Sequence, residues 1–455
     1  MRIELRTPLS SDDLLKYAVA FSLIKTNHIF THITTDSRET KEGDLFFSLS
    51  KSKESAEIHI AEAHKIGAFS VSSLSKTASY LVKDAQTALL KLALLHKSRL
   101  KNLKKTVAIT GSVGKTTTKE FTYAFLNTKF KAHKTYMNYN NALGLAISLL
   151  LAPIDTEILV LELGMNAPLE IKALSDAVKP DLAVITNIGN AHVGKLGSRE
   201  MIAKSKLEIS AGMTEDFIIA PYEEALLKSA KCKFSLTKTE ADYFLSKAES
   251  ENALEFYKRG RKISEFTTKY KAPHHLKALL IALIIANILG FNEEQMLSGV
   301  KATESLALRQ KIINLRRFSL LDDTYSSSPE AVLAEIEFLK LEYPERRFSV
   351  ALGDMLELGH KTEALHKEIG ALAYKKGARR LYTFGAYAYL IRDGAREAGM
   401  KDEDISSSTE IDNYPIIAKE IYEKSIDSEI VLVKASHSLS SEKIIKEIER
   451  LDSEC

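Results

Sequence analysis

The chain has 455 residues, 45% of them hydrophobic, and 63 Lys and Arg stand against 60 Asp and Glu. A chain of this length outgrows a single core and divides into roughly two to four domains. Its formal net charge of +3 leaves no overall electrostatic footprint for nucleic acid or for an anionic membrane, so any phosphate chemistry is local. Cys232 and Cys455 are its two cysteines, too few and too far apart for a disulfide framework or a cysteine metal site, which fits a reducing cytoplasm. The stretch "MRIELRTPLSSDDLLKY" has no long apolar core and does not read as a signal peptide.

In chain order, residues 1–103 read as a small α/β domain. A turn at "KEGD" precedes an apolar strand, "HIAEAHKIG" is helical, "AFSVSS" is a strand, and "AQTALLKLALLHKSRL" is a closing helix before the basic linker "KNLKK". Residues 104–308 alternate apolar runs ("KTVAIT", "TEILVLELG", "PDLAVITNIG") with helical patterns, the rhythm of a parallel sheet with crossover helices. Within it "LLIALIIANIL" is too short to span a bilayer and stops at Gly290, so it is expected as a buried helix with no membrane insertion. Residues 309–455 repeat the rhythm with "RRFSVALGD", "ARRLYTFG" and "SEIVLVKAS", which predicts a second, Rossmann-like parallel sheet. The fold class is therefore α/β in three domains: a small N-terminal one, a central P-loop ATPase-type sheet and a Rossmann-like C-terminal one.

The stretch "AITGSVGKTTTKEF" carries the strongest chemical signal. Gly114, Lys115 and Thr116 fit the end of the phosphate-loop pattern, in which backbone N–H groups cradle phosphate, Lys reaches the outer phosphates and the hydroxyl holds Mg²⁺. The loop is shortened: its first glycine is Gly111, three residues before Gly114, where the usual spacing is five. A strand before it and a helix after it supply the expected context; the bland alternative is a glycine-containing strand-to-helix turn.

In an open α/β sheet, ligands gather at the carboxyl ends of the strands. Glu162 ends one apolar run and His192 follows another. An acidic residue there can hold Mg²⁺ opposite the phosphate loop, and an imidazole can be a metal ligand or a base. Taken singly, each also has a structural reading, a helix cap and a loop histidine. Lys206, a bare cation, reads from its residues alone as a solvated helix position.

Taken together, "TGSVGKTTTK", "ELGMN", "TNIGNAHVGKLGS", "AKSKLEIS", "DDTYSSSP", "LGDMLELG" and "TTDSRETKEGDLFFSL" resemble the Mur ligases from about residue 30 to about residue 445, in that family's order and spacing. The likeness is greatest to members that join D-alanyl-D-alanine to a UDP-N-acetylmuramoyl-tripeptide. It implies an ATP-dependent amide-bond ligase working through an acyl phosphate. In this chain it implies that Gly111, Ser112, Gly114, Lys115, Thr116 and Thr117 bind the nucleotide with Arg309 and Asp323. Thr116 and Glu162 would hold one Mg²⁺, and His192 with a carbamoylated Lys206 a second. Asp36, Ser37, Arg38, Asn140 and Asn141 would meet substrate, and His366 also fits the family pattern. The catalytic set is then Lys115, Glu162, His192 and Lys206, with a UDP-muramoyl peptide and D-alanyl-D-alanine as substrates. A cytoplasmic monomer with no nucleic-acid partner is expected.

The departures are specific. Ser326, Ser327 and Ser328 stand where the family's Asn-Ala-Asn precedes proline, Ala278 where an asparagine nears the adenine, Ala146 where a proline follows the Asn-Asn run, and "AEIH", ending in His59, replaces an Asp-Gly-His segment. Serine loses the amide's paired donor and acceptor and alanine has neither, so a weaker nucleotide grip is expected. Two alternatives stay open: another ligase of the same mechanism, such as one adding the third residue or a folylpolyglutamate synthase, and a non-catalytic nucleotide-binding relative.

Overall fold

The computed structural model describes residues 1–18, 20–24, 27–250, 253–306, 311–410 and 413–454. They gather into two compact units, one of residues 1–110, 122–185 and 205–219, the other of residues 111–121, 186–204 and 220–455.

The first unit carries a six-stranded N-terminal sheet in the order Arg2–Ser10, Ile29–Thr34, Leu45–Phe47, Phe69–Ser72, Tyr80–Leu81, Phe21–Ser22. Its two outer pairings are antiparallel and its inner ones parallel. The turn expected at "KEGD" forms because the Asp44 carboxylate accepts from the backbone N–H of Lys41 at 2.8 Å and pairs with Arg2. Helix Lys53–Lys65, capped by Ser52, buries Ala56, Ile60 and Ala63 beneath this sheet against Phe46.

The same unit holds the parallel sheet that the apolar runs predict, in the order Ile218–Pro221, Leu182–Ile185, Lys105–Thr110, Ile158–Glu162, Ala132–Lys134. "ILVLE" and "LAVI" are buried at every residue, which is why they read as continuous apolar runs and not as alternating ones. Register places Ile185 beside Thr110 and Glu162 beside Ile109. Three neighbouring strands of this unit therefore end together, at Thr110, Glu162 and Ile185.

In the second unit, Tyr243–Lys247, Ala253–Lys258 and Arg261–Thr267 form an antiparallel meander that the sequence patterns did not announce. Its tight turn is Arg259-Gly260, both at positive φ (47° and 76°), a two-residue turn without the Asn-Gly or Asp-Gly signature. Stacked Phe244 and Tyr257, with ring centroids 4.8 Å apart, hold the first pair in register. The helix Pro273–Ile288 is buried from Ala278 through Ala286 and is followed by Gly290 at φ 71°, as expected. No described helix is long and apolar enough to cross a membrane.

The C-terminal sheet has the order Lys311–Asn314, Ser319–Asp323, Ile430–Lys434, Phe348–Gly353, Leu381–Phe384, Ile405–Ser408. All its pairings are parallel except that of the first edge strand, which matches the Rossmann-like expectation. One face of it buries Leu320, Val431 and Val433 against Ile417, Ile421, Ile444 and Ile448 of the two helices nearest the C-terminus.

Candidate active site

The phosphate loop is held by the segment that follows the neighbouring strand. Asn187 Oδ1 accepts from the backbone N–H groups of both Ser112 and Val113, at 3.0 and 2.9 Å. Thr186 Oγ1 donates to the Val113 carbonyl at 2.6 Å, and the Gly189 N–H donates to Ser112 Oγ at 2.9 Å. A Cβ at Gly111 would lie 1.9 Å from Thr186 Oγ1, so this close approach excludes any other residue there. The shortened loop is thus shaped by the "TNIG" side chains. The amides of Ser112 and Val113 are committed to that shape, and Gly114 leads directly into helix Lys115–Leu126, whose N-terminal end suits an anion. Lys115 Nζ donates to the Gly111 and Ser112 carbonyls at 2.8 and 3.2 Å, which keeps the ammonium over the loop. Thr116 and Thr117 are half-buried on the first turn of that helix.

Glu162 is buried at the last position of its strand, and it is not a helix cap. Asn140 Nδ2 donates to its Oε1 at 2.8 Å, and its own N–H donates to Thr135 Oγ1 at 2.8 Å. The carboxylate is thereby aimed by Asn140, whose carbonyl accepts from the Gly164 N–H. Asn141 acts differently, since its Oδ1 accepts from Gly144 N–H at 2.9 Å and caps helix Ala142–Leu150. Ala146 is buried within that helix.

His192 sits in a left-handed conformation (φ 68°) just before a short helical turn, Val193–Leu196. Its Nδ1 is bonded to the Glu357 carboxylate, which also pairs with Lys195. These neighbours hold the Glu357 carboxyl below the usual carboxylate range against a desolvation that pushes the other way. Lys206 departs from the solvated reading: it is 2% exposed, on the inner face of helix Arg199–Leu207. Its neighbour Glu208 accepts from the backbone N–H groups of Leu169 and Lys172.

Asp323 ends its strand at the carboxyl edge of the C-terminal sheet, where it is ion-paired with the buried Lys434, whose Nζ also donates to the Ser326 carbonyl at 2.6 Å. Ser328 caps helix Pro329–Glu342. Ala278 is 1% exposed, and nearby His274 is so buried that its pKa falls to about 3. His366 has a definite structural role, in which Nδ1 donates to the Thr362 carbonyl at 2.7 Å and Nε2 accepts from the Met355 N–H at 3.0 Å, fixing a neutral tautomer. Burial lowers its pKa accordingly. In the N-terminal sheet domain, Asp36 caps the turn Ser37–Glu39 and receives both arms of Arg38, itself exposed to solvent. His59 Nδ1 lies 3.2 Å from Ser50 Oγ. Arg309 lies outside the described residues.

Within the units, therefore, the structure brings Asn140 to Glu162 and the phosphate loop to the "TNIG" segment. Asn187, Thr186 and Glu357 are the participants that the sequence reading missed. Asn187 and Thr186 lie inside the "TNIGNAHVGKLGS" motif, and their position directly after an apolar strand beside the phosphate-loop strand was the available signal.

The donor chemistry suits Mg²⁺, which takes one or two carboxylates together with phosphate oxygens and keeps several waters. Glu162 offers a buried, oriented carboxylate and Thr116 a hydroxyl at the phosphate-loop helix. Among the described residues no cluster of three or more His, Cys, Asp or Glu forms a ready-made protein cage.

The Mur ligase middle domain model matches residues 109–286, and the model of the Mur ligase glutamate ligase domain matches residues 309–437. The UDP-N-acetylmuramoyl-tripeptide–D-alanyl-D-alanine ligase of Bacillus subtilis is 33% identical over 91% of this chain and 92% of its own length. The ligase of the same name from Rickettsia prowazekii is 31% identical over 90% and 93%. Among solved structures, MurF from Thermotoga maritima in complex with ADP superposes with a TM-score of 0.76 at 27% identity, over 93% of this chain and 98% of that one. MurF from Acinetobacter baumannii, at 23% identity, shares the fold with a TM-score of 0.84 over 98% and 100%. Matched by both domain models and along nearly its whole length by these ligases, the chain belongs to the Mur ligase family.

Proposed function

We propose that this protein is an ATP-dependent amide-bond ligase that joins D-alanyl-D-alanine to UDP-N-acetylmuramoyl-tripeptide in peptidoglycan precursor synthesis. The observation that carries the reading is the end-to-end correspondence to ligases of that name, together with a phosphate loop whose shape is fixed by side-chain hydrogen bonds of Thr186 and Asn187.

A peptide carboxylate is a poor electrophile. The tripeptide carboxylate oxygen attacks the γ-phosphorus of ATP, the bond to ADP breaks, and an acyl phosphate forms. The dipeptide amine then attacks the acyl carbon, the C–O bond to phosphate breaks, phosphate departs, and the amine gives up a proton. Lys115 and the amides of Gly114 to Thr116 hold the outer phosphates and meet the charge that spreads over the transferred oxygens. Asn140 aims Glu162. Mg²⁺ held by Thr116 and Glu162, with a second ion at His192 and a carbamoylated Lys206, would neutralise phosphate charge. Lys206 is 2% exposed, and its burial is what a role inside the site, and not the solvated reading, calls for.

Asp323 meets the ribose, which requires it to exchange Lys434 for the nucleotide or to share it. Arg309 stands where the family has the arginine that opens the C-terminal domain. Asp36, Ser37 and Arg38 meet the UDP end of the acceptor. Domain limits of 1–103, 104–308 and 309–455 accord with these roles, and the nucleotide substrates favour a cytoplasmic setting.

The test is phosphate release by the purified chain across UDP-muramoyl peptides and candidate amines. Release that needs the UDP-tripeptide and D-alanyl-D-alanine together is the expected result. A preference for a single amino acid, or for a folate acceptor, would move the chain to another ligase of the same mechanism, and no turnover with any pair would leave a nucleotide-binding relative.

A further inference from the structure

Glu357 belongs to none of the roles assigned above, yet the fold prepares its position with unusual thoroughness. The loop that carries it is anchored at every step: Asp354 accepts from the Ala386 and Tyr387 N–H groups, both at 2.9 Å, the Met355 N–H donates to His366, and the Leu356 N–H donates to Ser436 Oγ at 3.0 Å. Met355 and Leu358, flanking the exposed Leu356 and Glu357, are each 1% exposed. Glu357 itself is at φ 65°, the left-handed region that a non-glycine residue enters only when its surroundings impose it.

His192, across from it, is also left-handed, and the two loops meet through their backbones. The Gly194 N–H donates to the Glu357 carbonyl at 2.8 Å, and a Cβ on Gly194 would come within 2.5 Å of the Gly359 nitrogen. Asn190 adds a second clasp, its N–H and Nδ2 both donating to Glu330 Oε1 at 2.8 Å. An ordinary surface ion pair has none of this preparation and contributes little.

We propose that Glu357 is a positioning residue for His192: by accepting from Nδ1–H it fixes the imidazole tautomer and ring orientation, so that Nε2 is the nitrogen presented to a divalent cation. Because Glu357 lies in the segment matched by the C-terminal domain model and His192 in that of the middle domain, docking of the first on the second completes the metal ligand. The inference rests on the metal role given to His192 above. A carboxylate behind a ligating histidine is a general device for orienting it, and its removal weakens metal affinity about 10- to 100-fold.

The experiment uses the full ¹⁵N-labelled chain with ADP, reading the His192 tautomer by long-range ¹H–¹⁵N spectra without metal and Mn²⁺ affinity by electron paramagnetic resonance. Glu357→Ala is expected to lose the single Nδ1-protonated tautomer and to weaken Mn²⁺ about tenfold or more. Glu357→Gln retains an acceptor for Nδ1–H and is expected to keep the tautomer and lose much less affinity. Lys195→Ala removes the other ion-pair partner but no acceptor and is expected to leave Mn²⁺ binding unaltered. Glu357→Ala with wild-type tautomer and Mn²⁺ affinity, or a Lys195→Ala variant as weak as Glu357→Ala, overturns the proposal while leaving the metal reading intact. No Mn²⁺ binding by the wild-type chain overturns both.

Discussion

The phosphate loop and the Asp36–Arg38 turn are both short polar motifs that the family likeness singles out, and the fold treats them in opposite ways. At the phosphate loop, Thr186, Asn187 and Gly189 close on Ser112 and Val113 through four side-chain hydrogen bonds, and Gly111 has no room for a side chain. At the turn, Arg38 is 85% exposed and pairs with a carboxylate only two residues away in the chain. The first geometry is fixed before a ligand arrives, so little ordering is left for binding to oppose. The second is a local ion pair in water that a ligand must outcompete or join. Chemistry at the γ-phosphate needs the former; recognition of a large flexible substrate end tolerates the latter.

The largest expected effect is at the rigid end of this comparison. Lys115→Ala should leave the fold intact and slow ligation at least about a thousandfold, on the order of 4 kcal/mol in barrier; turnover by a folded variant near the wild-type rate would remove Lys115 from the phosphates. Next comes Asn187→Ala, which removes the side-chain acceptor shared by two loop amides; the Ser112 N–H keeps the Asn187 backbone carbonyl at 3.2 Å, and the Val113 N–H loses its Asn187 partner. Leaving a buried donor unmade costs about 1–3 kcal/mol, so ADP affinity measured by calorimetry should fall on the order of tenfold to a hundredfold. If affinity is unchanged, the loop does not owe its shape to Asn187. At the exposed end, Arg38→Ala should leave the melting temperature where it is and raise only the KM for the UDP substrate, whereas a melting shift as large as that of Asn187→Ala would erase the contrast.

Acid sharpens the comparison in another way. His96 and His133 donate to the carbonyls of Ala152 and Ser148, and burial pushes both pKa values down; His366 is lowered by the same cause. Their folded-state pKa values lie below the unfolded value of about 6.5. The stability they contribute is therefore complete above that pH and is lost as pH falls from there toward the folded values. Urea midpoints measured from pH 7.5 down to 5.5 should decline, and less steeply in His133→Gln, which cannot take up the proton. A flat profile would show that these imidazoles charge freely in the folded state.

Much of this was legible in the sequence, for identifiable reasons. Strands buried on both faces leave continuous apolar runs, so "ILVLE" and "LAVI" announced a parallel sheet, and the glycine-lysine-threonine signature lies where backbone geometry requires it. The meander of Tyr243–Lys247, Ala253–Lys258 and Arg261–Thr267 was hidden because its tight turn is Arg-Gly and its strands carry charges on an exposed face. The burial of Lys206 was invisible too, since a helix of mean polarity says nothing about which lysine faces inward. Glu357 lies in the "LGDMLELG" stretch, but its role could not be read from local pattern: its partners are 165 and 162 residues away, and only the folded loops bring it to His192 and Lys195.

The most direct test of the ligase mechanism follows an oxygen atom. UDP-muramoyl-tripeptide labelled with ¹⁸O in its terminal carboxylate is incubated with ATP, Mg²⁺ and D-alanyl-D-alanine, and the released phosphate and the peptide product are weighed by mass spectrometry. The account requires one labelled oxygen in each phosphate released and a pentapeptide product formed in equal amount, because the carboxylate oxygen that attacks ATP leaves with the phosphoryl group. Unlabelled phosphate alongside product, or phosphate released without product, would contradict it.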